Sequence, residues 1–142
     1  RILYAYRVPG MTPQEGSLCS RTVSLMDVYP TLVDLCRLPG PHQADRMSGR
    51  SLRPLLENRK AQWDRPVLST YGFKNHAVRD ERWRYIRYEN GDEELYDHEK
   101  DFHEWNNLAM NSKYETIKAR LARYLPKVNV PAREKPKRKK NK

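Results

Sequence analysis

Only two cysteines and six glycines occur in the 142 residues, too few for a disulfide-stapled or a collagen-like chain. No run approaches the roughly 18 uncharged apolar residues that a membrane-crossing helix needs, and mean hydropathy is −1.00. Catalytic and phosphate-cradling signatures are missing too: GxGxxG, GxxxxGK(S/T), HExxH and GxSxG do not occur. Cys19 and Cys36 stand too far apart for a redox CxxC or a metal-ligand pair, and read as small buried hydrophobes. The length suits one domain of the usual size, roughly 100–150 residues, rather than two independent cores.

What is abundant is positive charge, a net +10. It is unevenly placed: eight of the 28 basic residues and one of the 18 acidic ones fall in 127–142, leaving 20 bases against 17 acids in 1–126. The body is nearly balanced and the basicity is a tail. That tail, rich in Pro, Lys and Arg and without an apolar run after Val130, cannot bury enough surface to offset ordering and is expected to be disordered. The chain opens at Arg1 directly in the apolar stretch Ile2-Leu3-Tyr4-Ala5-Tyr6, which reads as part of a longer protein.

The spacing predicts a strand over Ile2 to Val8, stopped by Pro9-Gly10. Leu25, Val28, Tyr29, Leu32, Val33, Leu35 and Cys36 then repeat with a period near 3.6. This is an amphipathic helix, with Asp27 as N-cap, Pro30 in the first turn and Pro39-Gly40-Pro41 as its stop. Ser51 to Leu56 reads as a short capped helical turn. From Arg65 the period becomes two, giving strands over Val67 to Tyr71, His76 to Arg79, Trp83 to Tyr88 and Glu94 to Asp97. Asn90-Gly91 predicts a tight type I′ hairpin. A last helix over Ser112 to Leu125 carries Tyr114, Ile117, Leu121, Tyr124 and Leu125 on one stripe. The expected fold is α+β: a small antiparallel four-stranded sheet packed by a C-terminal helix.

Candidate chemistry is sparse. Lys74-Asn75-His76 gathers a cation and two hydrogen-bonding groups where a loop enters a strand, a composition suited to an anionic ligand. His98 and His103 lie among carboxylates in DHEKDFHEW, read as a solvated turn rather than a metal site. His42 is isolated in a polar loop. WRYIRY interleaves rings and arginines as single-strand binders do, but Glu89, Asp92, Glu93, Glu94 and Asp97 lie beside it and would repel phosphates. Trp83, Tyr85 and Tyr88 are therefore read as core, and no nucleic acid is expected as partner.

Three motifs in order carry a resemblance. They are Asp27, Tyr29-Pro30-Thr31-Leu32 and Asp34-Leu35; then Gly49, Ser51-Leu52 and Pro54-Leu55-Leu56; then Glu94-Leu95-Tyr96-Asp97, Asp101, Glu104 and Asn107-Leu108. The chain resembles, up to about Leu125, the C-terminal portion of a sulfatase of the alkaline-phosphatase-like superfamily, nearest the iduronate-sulfatase-like and choline-sulfatase-like branches. Relative to that pattern Phe102 replaces a Pro and Arg37 a Gly, the latter at a helix end where Gly more easily turns left-handed.

The resemblance implies residues 1–62 as the last strand, helix and linker of an α/β catalytic domain, 63–126 as a C-terminal antiparallel-sheet subdomain, and 127–142 as the tail. It implies hydrolysis of sulfate esters, of carbohydrate, by a formylglycine beside a calcium ion. Nucleophile and calcium ligands belong to an upstream domain, a partner in the same protein, so this chain alone is expected to be inactive. No catalytic or metal residue is assigned to it, and Lys74, Asn75 and His76 are the expected substrate contacts. By the same resemblance the protein is bacterial and periplasmic or secreted. Alternatives left open are a stand-alone basic module for nucleic acid or another polyanion, and part of a related phosphoester hydrolase. Asp97 and Asp101 should cap the turn after the last strand, and Trp105 with Leu108 should cover the sheet's end.

Overall fold

The computed structural model describes residues 4–13, 15–40 and 48–131. It divides into two compact units, Arg1–Val67 and Leu68–Lys142. The division falls a few residues beyond the expected 62/63 junction.

In the first unit Tyr4 to Val8 forms no strand. An extended segment becomes a strand only by pairing with a neighbour, and among the described residues no strand is paired with this one. Val8 is instead tied to its own turn, its N–H donating to Thr12 Oγ1 at 3.0 Å and its carbonyl accepting from Thr12 N at 3.0 Å. Ile2 and Leu3 lie outside the described residues.

Helix α1, Val28–Leu35, is entered through a 3₁₀ turn over Leu25–Asp27. Asp27 holds the N-cap position of α1 without a side-chain cap bond; the side-chain cap lies at Ser24, before the 3₁₀ turn, whose Oγ accepts from Met26 N and whose N–H donates to Asp27 Oδ2 at 2.8 Å, a reciprocal capping box. The helix ends before Pro39. Arg37 adopts a left-handed φ of 51°, while its N–H reaches Asp34 O at 3.3 Å and Leu38 N reaches Val33 O at 3.0 Å. Those two bonds define a Schellman end.

The expected apolar stripe of α1 is not its buried face. Leu25, Met26, Tyr29 and Leu32 are exposed, whereas Asp27 and Thr31 are buried at 1% and 0% exposure. Cys19 and Cys36 are also exposed rather than core residues. What holds α1 to the chain that follows is polar. Helix α2, Arg53–Glu57, starts one residue after Leu52, and Ser51 Oγ accepts from Arg53 N at 3.2 Å.

The second unit is an α+β layer pair. Strands β1 (Val67–Thr70), β2 (His76–Arg79), β3 (Trp83–Arg87) and β4 (Glu93–Asp97) form one four-stranded antiparallel sheet in sequence order. Val78 faces Tyr85 and Tyr85 faces Leu95, so these three share one side of the pleat. They are 0%, 1% and 0% exposed, and Leu121 of α3 (Glu115–Ala122) closes over them with Trp83 and Ala109. Trp83 packs against Tyr114 with ring centroids 5.4 Å apart. Each such buried side chain contributes about 1.5–3 kcal/mol.

Two local expectations are corrected. The β3–β4 connection is not type I′, which needs positive φ at both central residues. Gly91 has φ 93° but Asn90 does not. Tyr88 N reaches Asp92 O at 3.0 Å and Gly91 N reaches Tyr88 O at 3.1 Å, so the loop has three residues with Gly91 in the left-handed position. The closing helix is also shorter than 112–125: a 3₁₀ turn, Ser112–Tyr114, leads into α3, which ends at Ala122, and Tyr124 is exposed.

Of the expected disordered tail 127–142, residues from 132 onward lie outside the described residues, as does His42.

Candidate functional site

The loop Tyr71–Asn75 carries the sequence candidates. It is closed by Tyr71 N donating to Asn75 O at 2.9 Å, and Gly72 and Lys74 take left-handed φ values of 65° and 58°. A lysine there costs backbone strain of the kind found at functional sites. Lys74 is exposed and its Nζ lies 5.0 Å from the Phe73 ring centroid. Asn75 is a tie. Its Nδ2 donates to Phe73 O at 2.9 Å, and its Oδ1 accepts from Glu89 N at 3.2 Å, linking the loop to the β3–β4 turn.

His76 is 6% exposed and uses both ring nitrogens: Nδ1 lies 2.9 Å from Thr70 Oγ1 and Nε2 2.6 Å from Asn129 Oδ1. Lys74 is thus the member of the trio with an exposed charged group, while Asn75 and His76 fix the backbone on which it stands. An open cleft of about 560 Å³ beside Asn75 is lined by Tyr88, Glu89, Asn90, Asp92 and Glu94. Its carboxylates repel an anion, so the cleft itself does not suit an anionic ligand.

The polar residues that carry the motifs are bonded within the scaffold. On α1, Asp27, Thr31 and Asp34 recur at i, i+4 and i+7 and form a polar latch. Arg50 N donates to Asp27 Oδ1 at 2.9 Å, Leu52 N to Thr31 Oγ1 at 2.9 Å and Ser51 Oγ to Asp34 Oδ2 at 2.6 Å. Arg65 Nη1 adds an ion pair to Asp27 at 2.7 Å. Ser51, and then Arg53, hold the Asp34 carboxyl below the usual range. Gly49 is required here, since a Cβ would stand 2.0 Å from the Met26 carbonyl oxygen.

In the second unit Arg82 grips Asp97 through two hydrogen bonds, 2.9 and 2.7 Å, and depresses that carboxyl's pKa. Asp101 accepts from Asn106 N at 2.7 Å and Trp105 N at 3.1 Å, which lowers its pKa as well. Glu94 accepts from the hydroxyls of both Tyr88 and Tyr96, each at 3.1 Å. Burial and then the Glu94 carboxylate push the Tyr96 phenol up to about 12. Asn107 continues the sheet edge, accepting from Leu95 N at 3.1 Å and donating to Glu93 O at 3.1 Å.

The turn after β4 is more ordered than a solvated loop. Glu104, at a left-handed φ of 60°, is paired with Arg84 at 2.6 Å and with His98 Nε2 at 2.7 Å. Burial raises the Glu104 carboxyl, but the Arg84 bond and charge outweigh it and the net shift is downward. Trp105 does not cover the sheet's end; it is 80% exposed, and Leu108 packs against the core without it. Among the described residues, no group of three or more His, Cys, Asp or Glu is placed to hold a metal ion. No helix among them is long and apolar enough to cross a membrane.

The described residues thus form an antiparallel sheet under one helix, preceded in the chain by two short helices latched together by polar bonds. A family model described as N-sulphoglucosamine sulphohydrolase, C-terminal, matches residues 4–130, and the chain belongs to that family. It is 36% identical over 116 residues to a sulfatase of Formosa agariphila, covering 82% of this chain and 22% of that protein. Against the Delta 4,5-hexuronate-2-O-sulfatase of Bacteroides thetaiotaomicron it is 36% identical over 107 residues, 69% of this chain and 22% of the relative. A solved 2-O GAG sulfatase superposes with a TM-score of 0.56 at 35% identity, over 66% of this chain and 22% of that one. The chain thus spans about a fifth of the length of the curated relatives it matches.

Proposed function

We propose that the chain is the C-terminal part of a sulfatase that hydrolyses sulfate esters of carbohydrate, and that it contributes substrate recognition and stability rather than chemistry. The observation that carries this reading is the family match across 4–130. The polar motif residues support it, because Asp27, Thr31, Asp34, Asp97, Asp101 and Glu104 are each bonded to groups of this chain that hold its scaffold. Formylglycine and calcium, in this reading, belong to residues upstream, and the exposed face of α1 at Leu25, Tyr29 and Leu32 is where the rest of the α/β domain packs. A periplasmic or secreted location follows from the same membership.

Within the second unit, Lys74 meets a sulfate or carboxylate on the non-reacting part of the substrate. Asn75 and His76 are positioning residues: they hold the loop so that a left-handed lysine is presented. In the full-length enzyme, Lys74→Ala should raise KM for sulfated sugars several-fold with kcat preserved, and Lys74→Arg should recover most of it. An unchanged KM across sulfated di- and oligosaccharides removes Lys74 from the site. Turnover of phosphate or phosphonate monoesters in place of sulfate esters would move the protein to a related hydrolase.

A further inference from the structure

We propose that the loop after β4, which also carries the exposed Lys100, bears a second carbohydrate contact, a stacking platform made by Trp105 and His103, which holds an anionic polysaccharide chain at the far end of the sheet from Lys74. The choice of glycan rests on the sulfatase reading; the stacking surface does not.

Trp105 is 80% exposed, an unusual state for the largest apolar side chain. Its indole lies against the His103 imidazole, centroids 5.0 Å apart and planes 18° from parallel, and Phe102, 54% exposed, stands edge-on to His103 at 5.4 Å. His103 thus backs one face of the exposed indole, with Phe102 at the edge of the imidazole. The apolar C–H face of a sugar ring lies flat on such an indole, while its hydroxyls stay in water.

The platform is held rigidly. Both carboxylate oxygens of Asp101 take backbone N–H groups, those of Trp105 and Asn106, and the left-handed Glu104 between the two rings is anchored by Arg84 and His98. A ring pair ordered before binding loses little entropy on binding. Strain in a non-glycine residue beside exposed rings is the association expected of a binding loop.

The anionic character of the glycan rests on the sulfatase reading. The loop's carboxylates are already engaged: Glu99 by Arg82, Asp101 by backbone N–H groups, and Glu104 by Arg84 and His98. Lys100 is exposed on the same loop. The exposed neighbours Asn106 and Lys100 on the same loop are polar, unlike the continuous apolar patch on which a protein partner seats. Asn75 and Glu89 meet at one end of β3 and β4, and this loop leaves the other end. A five-residue strand separates them by roughly 17 Å, a span for several rings of one polymer.

The test uses the full-length enzyme in affinity electrophoresis through gels containing heparin, with gels containing neutral dextran alongside. Trp105→Ala should weaken the heparin Kd about fivefold (about 1 kcal/mol), and Trp105→Phe should restore part of it. Turnover of a small aryl sulfate should be unchanged in both variants, because the small substrate never reaches the loop. Equal retardation of Trp105→Ala and the parent enzyme overturns the platform. So does a parallel loss of aryl sulfate turnover and thermal stability, which would mean that Trp105 docks on the rest of the enzyme. Equal retention in dextran overturns the anionic specificity. An enzyme that turns over no sulfate ester, yet whose heparin retention depends on Trp105, sinks the sulfatase reading and leaves the platform standing.

Discussion

The Nε2 of His76 lies 2.6 Å from the Oδ1 of Asn129, a contact between residues 53 positions apart. It fastens the last described stretch of chain to the first residue of β2 and satisfies a buried ring nitrogen. Replacing Asn129 with Ala leaves that nitrogen without its partner, which costs about 1–3 kcal/mol. The midpoint of urea unfolding should fall accordingly with an unchanged slope; an unaltered midpoint would show that solvent replaces the amide at no cost.

Arg37→Gly should stabilise the protein. The left-handed end of α1 disfavours any residue with a Cβ, by about 1–2 kcal/mol, and the greater freedom of glycine in the unfolded chain returns part of that. A net gain of about 0.5–1 kcal/mol is expected, read as a raised Tm. A lowered Tm would mean that the arginine side chain contributes more than its backbone costs.

Gly49→Ala should act in the opposite sense. The added methyl would overlap the Met26 carbonyl oxygen, and neither backbone can retreat without breaking the bonds from Arg50 and Leu52 to α1. A loss of about 2–4 kcal/mol is expected, visible as protease sensitivity near residues 48–52.

Acid should unfold the protein through its held carboxylates. Arg82 lowers Asp97 below its ordinary 3.8, and Tyr85, then Lys118, lower Glu93 below 4.5. A depressed folded pKa gives stability that is complete above the unfolded value and is lost as pH falls through the folded one. Stability should therefore hold level down to about pH 5 and decline below it. Asp97→Asn should be less stable at pH 7 and show a shallower decline between pH 5 and 3 by thermal melts, whereas parallel curves would exclude Asp97 as a contributor.

Base should act on the tyrosines. Tyr96, pushed up to about 12, contributes stability that is whole below pH 10 and fades as pH rises through the folded value. Glu94→Gln removes the carboxylate that opposes phenolate formation, so the ultraviolet titration of Tyr96 should shift to lower pH.

The second unit was largely legible in the sequence because its signals are local. Alternation marks all four strands within a residue of their ends, and Leu121 announces the covering helix. The hairpin type was not legible, since Asn-Gly is compatible with either loop and the register decides. The first unit was less so. Its apolar stripe drew attention from the polar one at Asp27, Thr31 and Asp34, whose i, i+4, i+7 spacing was the available signal, and Tyr4 to Val8 lacks the neighbour that makes a strand. Of the candidate trio, composition marked the loop but could not tell Lys74 from His76, because burial depends on Asn129.

Trp63 Nε1 donates to Thr22 O at 3.0 Å, and Arg65 reaches both Asp27 and Ser48 O. The stretch between α2 and β1 is therefore a strap of the first unit, not a slack tether. For anyone grafting this module between relatives, a splice before Trp63 would bring a foreign indole and guanidinium to a carbonyl and a carboxylate shaped for these. A splice at Val67/Leu68 exchanges the sheet and leaves the strap with the latch it closes.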